Sequence, residues 1–180
     1  MKNFYKLASN VEVVSLMAAI VRQPELWNQN KLRTEHPGTA HSQVEDIWIR
    51  FNSLEEEDLL SVVDSHESVW YSGAAALPQA RPIIFALMRQ VEGIRLGRVM
   101  ITKLAPGKVI LPHVDGGAHA EYYKRYHVVL QGLPGSLFRS DNETVQMLTG
   151  ECWWFDNGIE HEVINNSADD RVHMIVDIRS

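Results

Sequence analysis

His113 and Asp115 stand two residues apart in Leu111-Pro112-His113-Val114-Asp115, and a second histidine, His161, follows far downstream. On an extended segment, side chains two apart point to the same side, so His113 and Asp115 can reach one ion. Two imidazoles and one carboxylate are the donor set that holds iron(II) on one face and leaves the other face open. Gly116 and Gly117 come next and let the chain turn sharply beside such an ion. Shortly after His161 comes Arg171, whose planar fork suits a bidentate grip on a carboxylate. Here it could neutralise the far end of a dicarboxylate bound at the ion. The alternative is a surface histidine, a turn aspartate and an unrelated strand histidine, because His-x-Asp alone is a weak signal.

Two further segments widen the pattern. In the last strand Val172, Met174, Val176 and Ile178 share one face and read as core, while Arg171, His173, Ile175 and Asp177 share the other. Between Tyr122 and Leu130, Arg125 and His127 lie on one face and Tyr126, Val128 and Leu130 on the other. Polar faces on two strands suggest a polar-lined barrel mouth, and the alternative is edge-strand charge facing solvent.

These residues need a scaffold, and the chain supplies one in two parts. Val14, Met17, Ala18 and Val21 recur at helical spacing with Asn10 as cap. Asp46 to Phe51 reads as a strand, and residues 54–62 as a short helix. Pro82 suits a first helical turn, Ile84, Leu87, Met88 and Val91 form a stripe, and Gly93 stops that helix. Beyond Gly93 the character is β: segments 95–105, 108–115, 122–131, 136–141, 143–149, 151–156, 160–165 and 171–179. The intervening turns are Pro106-Gly107, Gly116-Gly117, Gly132 to Gly135, Asp141-Asn142 and Asn157-Gly158. The expected fold is mainly β with N-terminal helices (α+β): a double-stranded β-helix, jelly roll or cupin-like, under a helical layer. We expect a single domain over 1–180, with 1–94 as the supporting region and 95–180 as the catalytic core.

Composition narrows the function. The chain has 180 residues, 45% hydrophobic and 22% charged, with a formal net charge of −6. An acidic total argues against a dominant nucleic-acid footprint. One cysteine, Cys152, excludes an internal disulfide framework and a cysteine zinc cluster. The apolar run Val11–Val21 is too short to span a bilayer and lacks a clean cleavage site, so we expect a cytoplasmic protein with no membrane partner. Trp70-Tyr71-Ser72-Gly73, Trp153 and Trp154 could wall a pocket but are expected to be core, and Arg50 to be structural. His36, His41, His66 and His119 show no partner pattern, although His119 follows a glycine turn near the site.

Five blocks carry a resemblance: Leu111–Asp115, Arg125-Tyr126-His127-Val128-Val129-Leu130, Gly150-Glu151-Cys152-Trp153-Trp154-Phe155-Asp156-Asn157, His161–Asn166, and Asp170-Arg171-Val172. In this order the chain resembles the aspartyl/asparaginyl β-hydroxylase family of Fe(II)- and 2-oxoglutarate-dependent oxygenases, over about residues 98–178. The resemblance implies that His113 and His161 bind iron, with Asp115 as the acidic ligand that bacterial relatives carry and the animal enzyme lacks. It implies that Arg171 grips the distal carboxylate of 2-oxoglutarate and that Arg125 and His127 contact the cosubstrate near the metal. His127 or His173 would tune the ligands by hydrogen bonding. The implied reaction uses O2 and 2-oxoglutarate to hydroxylate an amino-acid side chain, free or in a peptide or protein, with release of succinate and CO2. The long N-terminal extension and membrane anchor of the animal enzyme are missing from this sequence. Two other readings stay open: a cupin-type metal-dependent enzyme that does not use 2-oxoglutarate, and a non-catalytic metal- or ligand-binding jelly roll.

Overall fold

The computed structural model describes residues 1–54 and 64–180. Its strands are β1 (Phe4–Ala8), β2 (Val44–Phe51), β3 (Val69–Trp70), β4 (Arg95–Leu104), β5 (Val109–His113), β6 (Lys124–Gln131), β7 (Ser136–Ser140), β8 (Glu143–Val145), β9 (Cys152–Phe155), β10 (His161–Asn165) and β11 (Arg171–Arg179). They form two antiparallel sheets, ordered β1-β9-β6-β11-β4-β2-β3 and β5-β10-β7-β8. The helices are α1 (Val14–Val21), α2 (Leu32–Glu35), α3 (Ser72–Ala76), α4 (Ala80–Gln90) and α5 (Ala118–Tyr122). This is the jelly roll the turn pattern predicts, with α1, α3 and α4 on one face of the large sheet, while Leu32 of α2 packs on Trp48 and His119 of α5 bonds Asp177 on the other. Pro106-Gly107 joins β4 to β5, Gly132 to Gly135 joins β6 to β7, Asp141-Asn142 joins β7 to β8, and Asn157-Gly158 joins β9 to β10.

Alternation along each strand divides the large sheet into two faces. Ile47, Ile49, Val99, Ile101, Tyr126, Val128, Val172, Met174, Val176 and Ile178 face the helices and pack with Leu16, Ile20, Leu77, Ile84 and Leu87. Burying such a side chain contributes about 1.5–3 kcal/mol, so this layer is the main anchor of the sheet. The opposite face meets the small sheet through Phe4, Leu104, Ile110, Val129, Phe138, Trp153, Phe155 and Val163. The polar residues of β6 and β11 come out between the two sheets, as the alternation requires.

Several expectations need correction. The buried face of α1 is Leu16, Ala19 and Ile20, whereas Val14 and Val21 are exposed. The helix is apolar nearly all round, so spacing alone did not identify the inner stripe. Asn10 does not cap it: the cap position is Val13, and Glu12 Oε1 accepts from the Ser15 amide at 3.1 Å. The strand expected from residue 122 begins at Lys124, after the helix α5 over Ala118–Tyr122, and β8 is shorter than expected. Strand β1 was not anticipated: it pairs with β9 at the sheet edge, and Lys2 and Asn3 donate their amides to Glu143. In α4 the expected stripe holds, with Ile84 and Leu87 buried and Met88 and Val91 packed beside them. The helix expected at 54–62 lies almost wholly outside the described residues.

Candidate metal centre and anion pocket

Strands β5 and β10 pair so that His161 sits opposite His113, with ring centroids 4.3 Å apart. Asp115 lies past the end of β5, so the loop rather than strand periodicity returns it to the histidines; its amide donates to the Asn157 carbonyl at 3.1 Å. One ligand atom from each of His113, Asp115 and His161 falls within 4.8 Å of the others. His113 Nε2 is 3.7 Å from Asp115 Oδ1, and His161 Nε2 is 3.9 Å from Oδ2. His113 Nδ1 donates to the Leu111 carbonyl at 2.7 Å and His161 Nδ1 to the Ile159 carbonyl at 2.9 Å. A carbonyl only accepts, so in both rings the Nδ1 carries the hydrogen and the Nε2 lone pair is turned to the carboxylate. Burial pushes the His161 pKa down, against the upward pull of Asp115, which favours the neutral, metal-binding form.

Asp115 is held from behind. Arg125 Nη1 donates to its Oδ2 at 2.6 Å, while Arg125 Nε and Nη2 donate to Asp177 Oδ1 and Oδ2 at 2.8 and 3.0 Å. Arg125 and Asp177 face each other across the β6–β11 ladder. Burial works to lower the Arg125 pKa, and the two carboxylates overcome it and raise the value above the ordinary one. Burial likewise opposes ionisation of Asp177, but Arg125 and His119 outweigh it and hold its carboxyl well below the usual range. His119 Nε2 lies 3.1 Å from Asp177 Oδ2, and its Nδ1 lies 3.0 Å from the Ser65 carbonyl.

At the other end of the same cleft lies Arg171, 3% exposed. Among the described residues its hydrogen bond is to an imidazole, from Nη2 to His173 Nδ1 at 3.0 Å, and no carboxylate partners it. Burial alone pushes its pKa down to about 9, so it remains a cation at neutral pH, with no counter-ion among the described residues. Because Arg171 donates to His173 Nδ1, that atom bears a lone pair, and His127 Nδ1, 3.1 Å away, carries the hydrogen between them. The Nε2 atoms of His127 and His173 are buried without a partner among the described residues. Burial, then Arg171, holds both histidines well below their ordinary pKa. The cleft encloses about 390 Å³ including its open mouth.

All six residues expected at the site, His113, Asp115, His161, Arg125, His127 and Arg171, line this cleft. Arg125 is more committed than expected: three of its five N–H groups are taken by carboxylates. Two residues without a pattern in the sequence belong here. His41, before β2, sets its ring edge-on to His113 at 4.7 Å, and burial, then Arg33, lowers its pKa well below normal. His119 supports Asp177. No local motif marks either one, because their partners lie 72 and 58 residues away along the chain. Trp70, Tyr71, Trp153 and Trp154 do not line the cleft: Trp153 is core, and Trp70 is half-exposed beneath Arg50.

The family profile described as aspartyl/asparaginyl beta-hydroxylase matches residues 12–180. The chain belongs to that family of 2-oxoglutarate-dependent oxygenases and is a hydroxylase-class enzyme. Among solved structures it is similar to the viral collagen prolyl hydroxylase of Paramecium bursaria Chlorella virus-1 in its 2OG complex. The TM-score is 0.59 at 10% identity, covering 99% of this chain and 97% of that one. A Pseudomonas putida prolyl-4-hydroxylase gives 0.58 at 13% identity, covering 99% and 93%. A 2OG-Fe(II) oxygenase-family protein of Burkholderia pseudomallei gives 0.55 at 10% identity, covering 76% of this chain and 66% of that one. At such identities the likeness is one of fold. No curated protein sequence matches significantly.

Proposed function

We propose that this chain is an Fe(II)- and 2-oxoglutarate-dependent dioxygenase that hydroxylates an amino-acid side chain, free or within a peptide, and releases succinate and CO2. The observation that carries the reading is Arg171: a buried guanidinium with no carboxylate partner among the described residues, in the cleft that also gathers His113, Asp115 and His161. A buried cation lacking a partner is costly, and an incoming carboxylate offsets that cost with a charge-assisted bond. Two imidazole nitrogens with free lone pairs and one carboxylate suit iron(II), and they leave positions for a chelating oxo-acid and O2.

His113, Asp115 and His161 would hold the iron, and Arg171 would hold the far carboxylate of 2-oxoglutarate. Bound together, iron and cosubstrate supply the oxidising power for C–H hydroxylation. The protein's part is to orient and to exclude water. Arg125 steadies Asp115 and keeps two N–H groups for the cleft. His127 acts through its tautomer. With its Nδ1 hydrogen directed at His173 Nδ1, His127 keeps a lone pair on Nε2, which can accept a hydrogen bond in the cleft. Phe155 and Phe138 close the apolar wall around His161.

Residues 95–180 carry every proposed ligand, and residues 1–94 supply β1, β2 and most of the helical layer. No described helix is long and apolar enough to cross a membrane. A reducing, cytoplasmic setting suits ferrous iron and the free thiol of Cys152. The similarity to prolyl hydroxylases supports an amino-acid or peptide substrate rather than a nucleic acid.

The test is a succinate-release assay with iron(II), ascorbate and 2-oxoglutarate over a panel of amino acids and peptides, read by mass for the gain of one oxygen. Product that forms equally well without 2-oxoglutarate would return the chain to the cupin-type reading.

A further inference from the structure

Asp115 has two oxygens and two claimants. Oδ2 accepts from Arg125 Nη1 at 2.6 Å, while Oδ1 lies 3.7 Å from His113 Nε2 with no hydrogen bond of its own among the described residues. A guanidinium fork matches a carboxylate bidentately, so an unrestrained Arg125 would take both oxygens and compete with a cation. Asp177 prevents this. It occupies the Nε–Nη2 edge of Arg125 with both of its own oxygens, so Nη1 alone reaches Asp115. Asp177 is itself fixed: it is 1% exposed, sits on the central strand β11, and is bonded from its far side by His119. His119, also 1% exposed, is pinned at both ring nitrogens, by Asp177 and by the Ser65 carbonyl.

We propose that Asp177, backed by His119, is a positioning residue for the metal ligand Asp115: it anchors Arg125 along one edge and thereby leaves Oδ1 of Asp115 for the cation. This rests on the metal reading of the site. None of the three groups behind Asp115 needs to touch substrate. Their action runs through one hydrogen bond, Arg125 Nη1 to Asp115 Oδ2. The chain of contacts ties the metal site to α5 and to residues 64–66, because Ala118 N donates to Asp64 and Tyr123 Oη donates to the His66 carbonyl.

The experiment measures Mn(II) affinity by calorimetry and the visible spectrum of the Co(II)-loaded protein for wild type, Asp177→Asn, His119→Gln and the double variant Asp177→Asn/Arg125→Met. Thermal melts monitor folding. Asp177→Asn is expected to weaken Mn(II) binding about tenfold, within the range for residues supporting a ligand, and to alter the Co(II) spectrum. His119→Gln moves both in the same direction by a smaller factor. The double variant binds more tightly than Asp177→Asn alone, because the competitor for Asp115 is gone, which a merely structural role does not predict. If Asp177→Asn fails to fold, His119→Gln with and without Arg125→Met carries the comparison. Folded variants with wild-type affinity and spectrum, or a double variant weaker than the single, overturn the proposal. A wild-type protein that binds neither ion overturns the metal reading as well, which separates the two failures.

Discussion

Arg171 donates to the imidazole of His173, two residues along the same strand, and among the described residues that ring rather than an acid is its hydrogen-bonding partner. Both side chains are buried, so the guanidinium carries a desolvation penalty that no carboxylate among the described residues offsets. Replacing such a charge with an apolar side chain of similar length relieves the penalty. Arg171→Met should stabilise the ligand-free fold by about 1–2 kcal/mol. In a chain of this size that is a rise in Tm of about 2–4 °C per kcal/mol. The same variant should lose the thermal shift that 2-oxoglutarate gives the wild type in the presence of Mn(II). A lower Tm with an intact 2-oxoglutarate shift would show that Arg171 is a structural cation.

The two facing imidazoles give the second prediction. Residues that merely support a ligand contribute about 10–100-fold to metal affinity, so removal of a ligand should exceed that. His113→Ala or His161→Ala should weaken Mn(II) binding by about 100-fold or more and abolish turnover. Calorimetry on the purified variants checks this, and retained activity in His161→Ala would contradict the assignment.

Acid should unfold the protein early. His127 and His173 have folded-state pKa values well below the ordinary 6.5, chiefly through burial and then through Arg171. As pH falls below 6.5, the unfolded chain takes up protons that the folded state refuses. Their contribution is therefore complete above about pH 6.5 and is lost progressively on acidification towards the depressed folded values. The slope is about 1.4 kcal/mol per pH unit for each ring that stays neutral. Urea melts at about pH 7.5 and about pH 5.5 read the change directly as a fall in midpoint. An unchanged midpoint would mean that these rings are not held neutral.

The packing of α3 on β2 supplies a stability test away from the chemistry. A Cβ added at Gly73 would collide with the backbone carbonyl of Trp48, which cannot rotate aside as a side chain can. Gly73→Ala should destabilise by about 1–3 kcal/mol, measured by denaturant unfolding. Metal affinity should be unaffected in the fraction that folds, since neither Gly73 nor Trp48 lines the cleft.

What the sequence disclosed follows from how local each signal is. Turn residues mark the ends of strands directly, which is why the β4–β5, β6–β7, β7–β8 and β9–β10 connections were legible. The inner polar face of β11 was legible because Arg171, His173 and Asp177 alternate with Val172, Met174, Val176 and Ile178, Ile175 being the one apolar residue on the polar side. Helix α1 has no such contrast: Val14 and Leu16 are equally apolar, and the tertiary partner alone selects Leu16. Asp115 was placed beside His113 for a reason the structure replaces, since the loop after β5 brings it back rather than a shared strand face. His41 and His119 became part of the site through contacts 72 and 58 residues apart along the chain, and a single sequence carries no trace of such pairings.

Strand β1 has a practical consequence. Phe4 stacks on Phe155 at 6.3 Å, and Phe155 stands edge-on to His161 at 4.9 Å, so a single benzyl group bridges Phe4 and a proposed metal ligand. Proteolytic trimming of the first eight residues, or a bulky affinity tag pressed against them, would strip the margin from β9 and bare a row of amides and carbonyls ready to template aggregation. It would also slacken the wall behind His161. Purification handles belong after the exposed Ser180, at the opposite terminus.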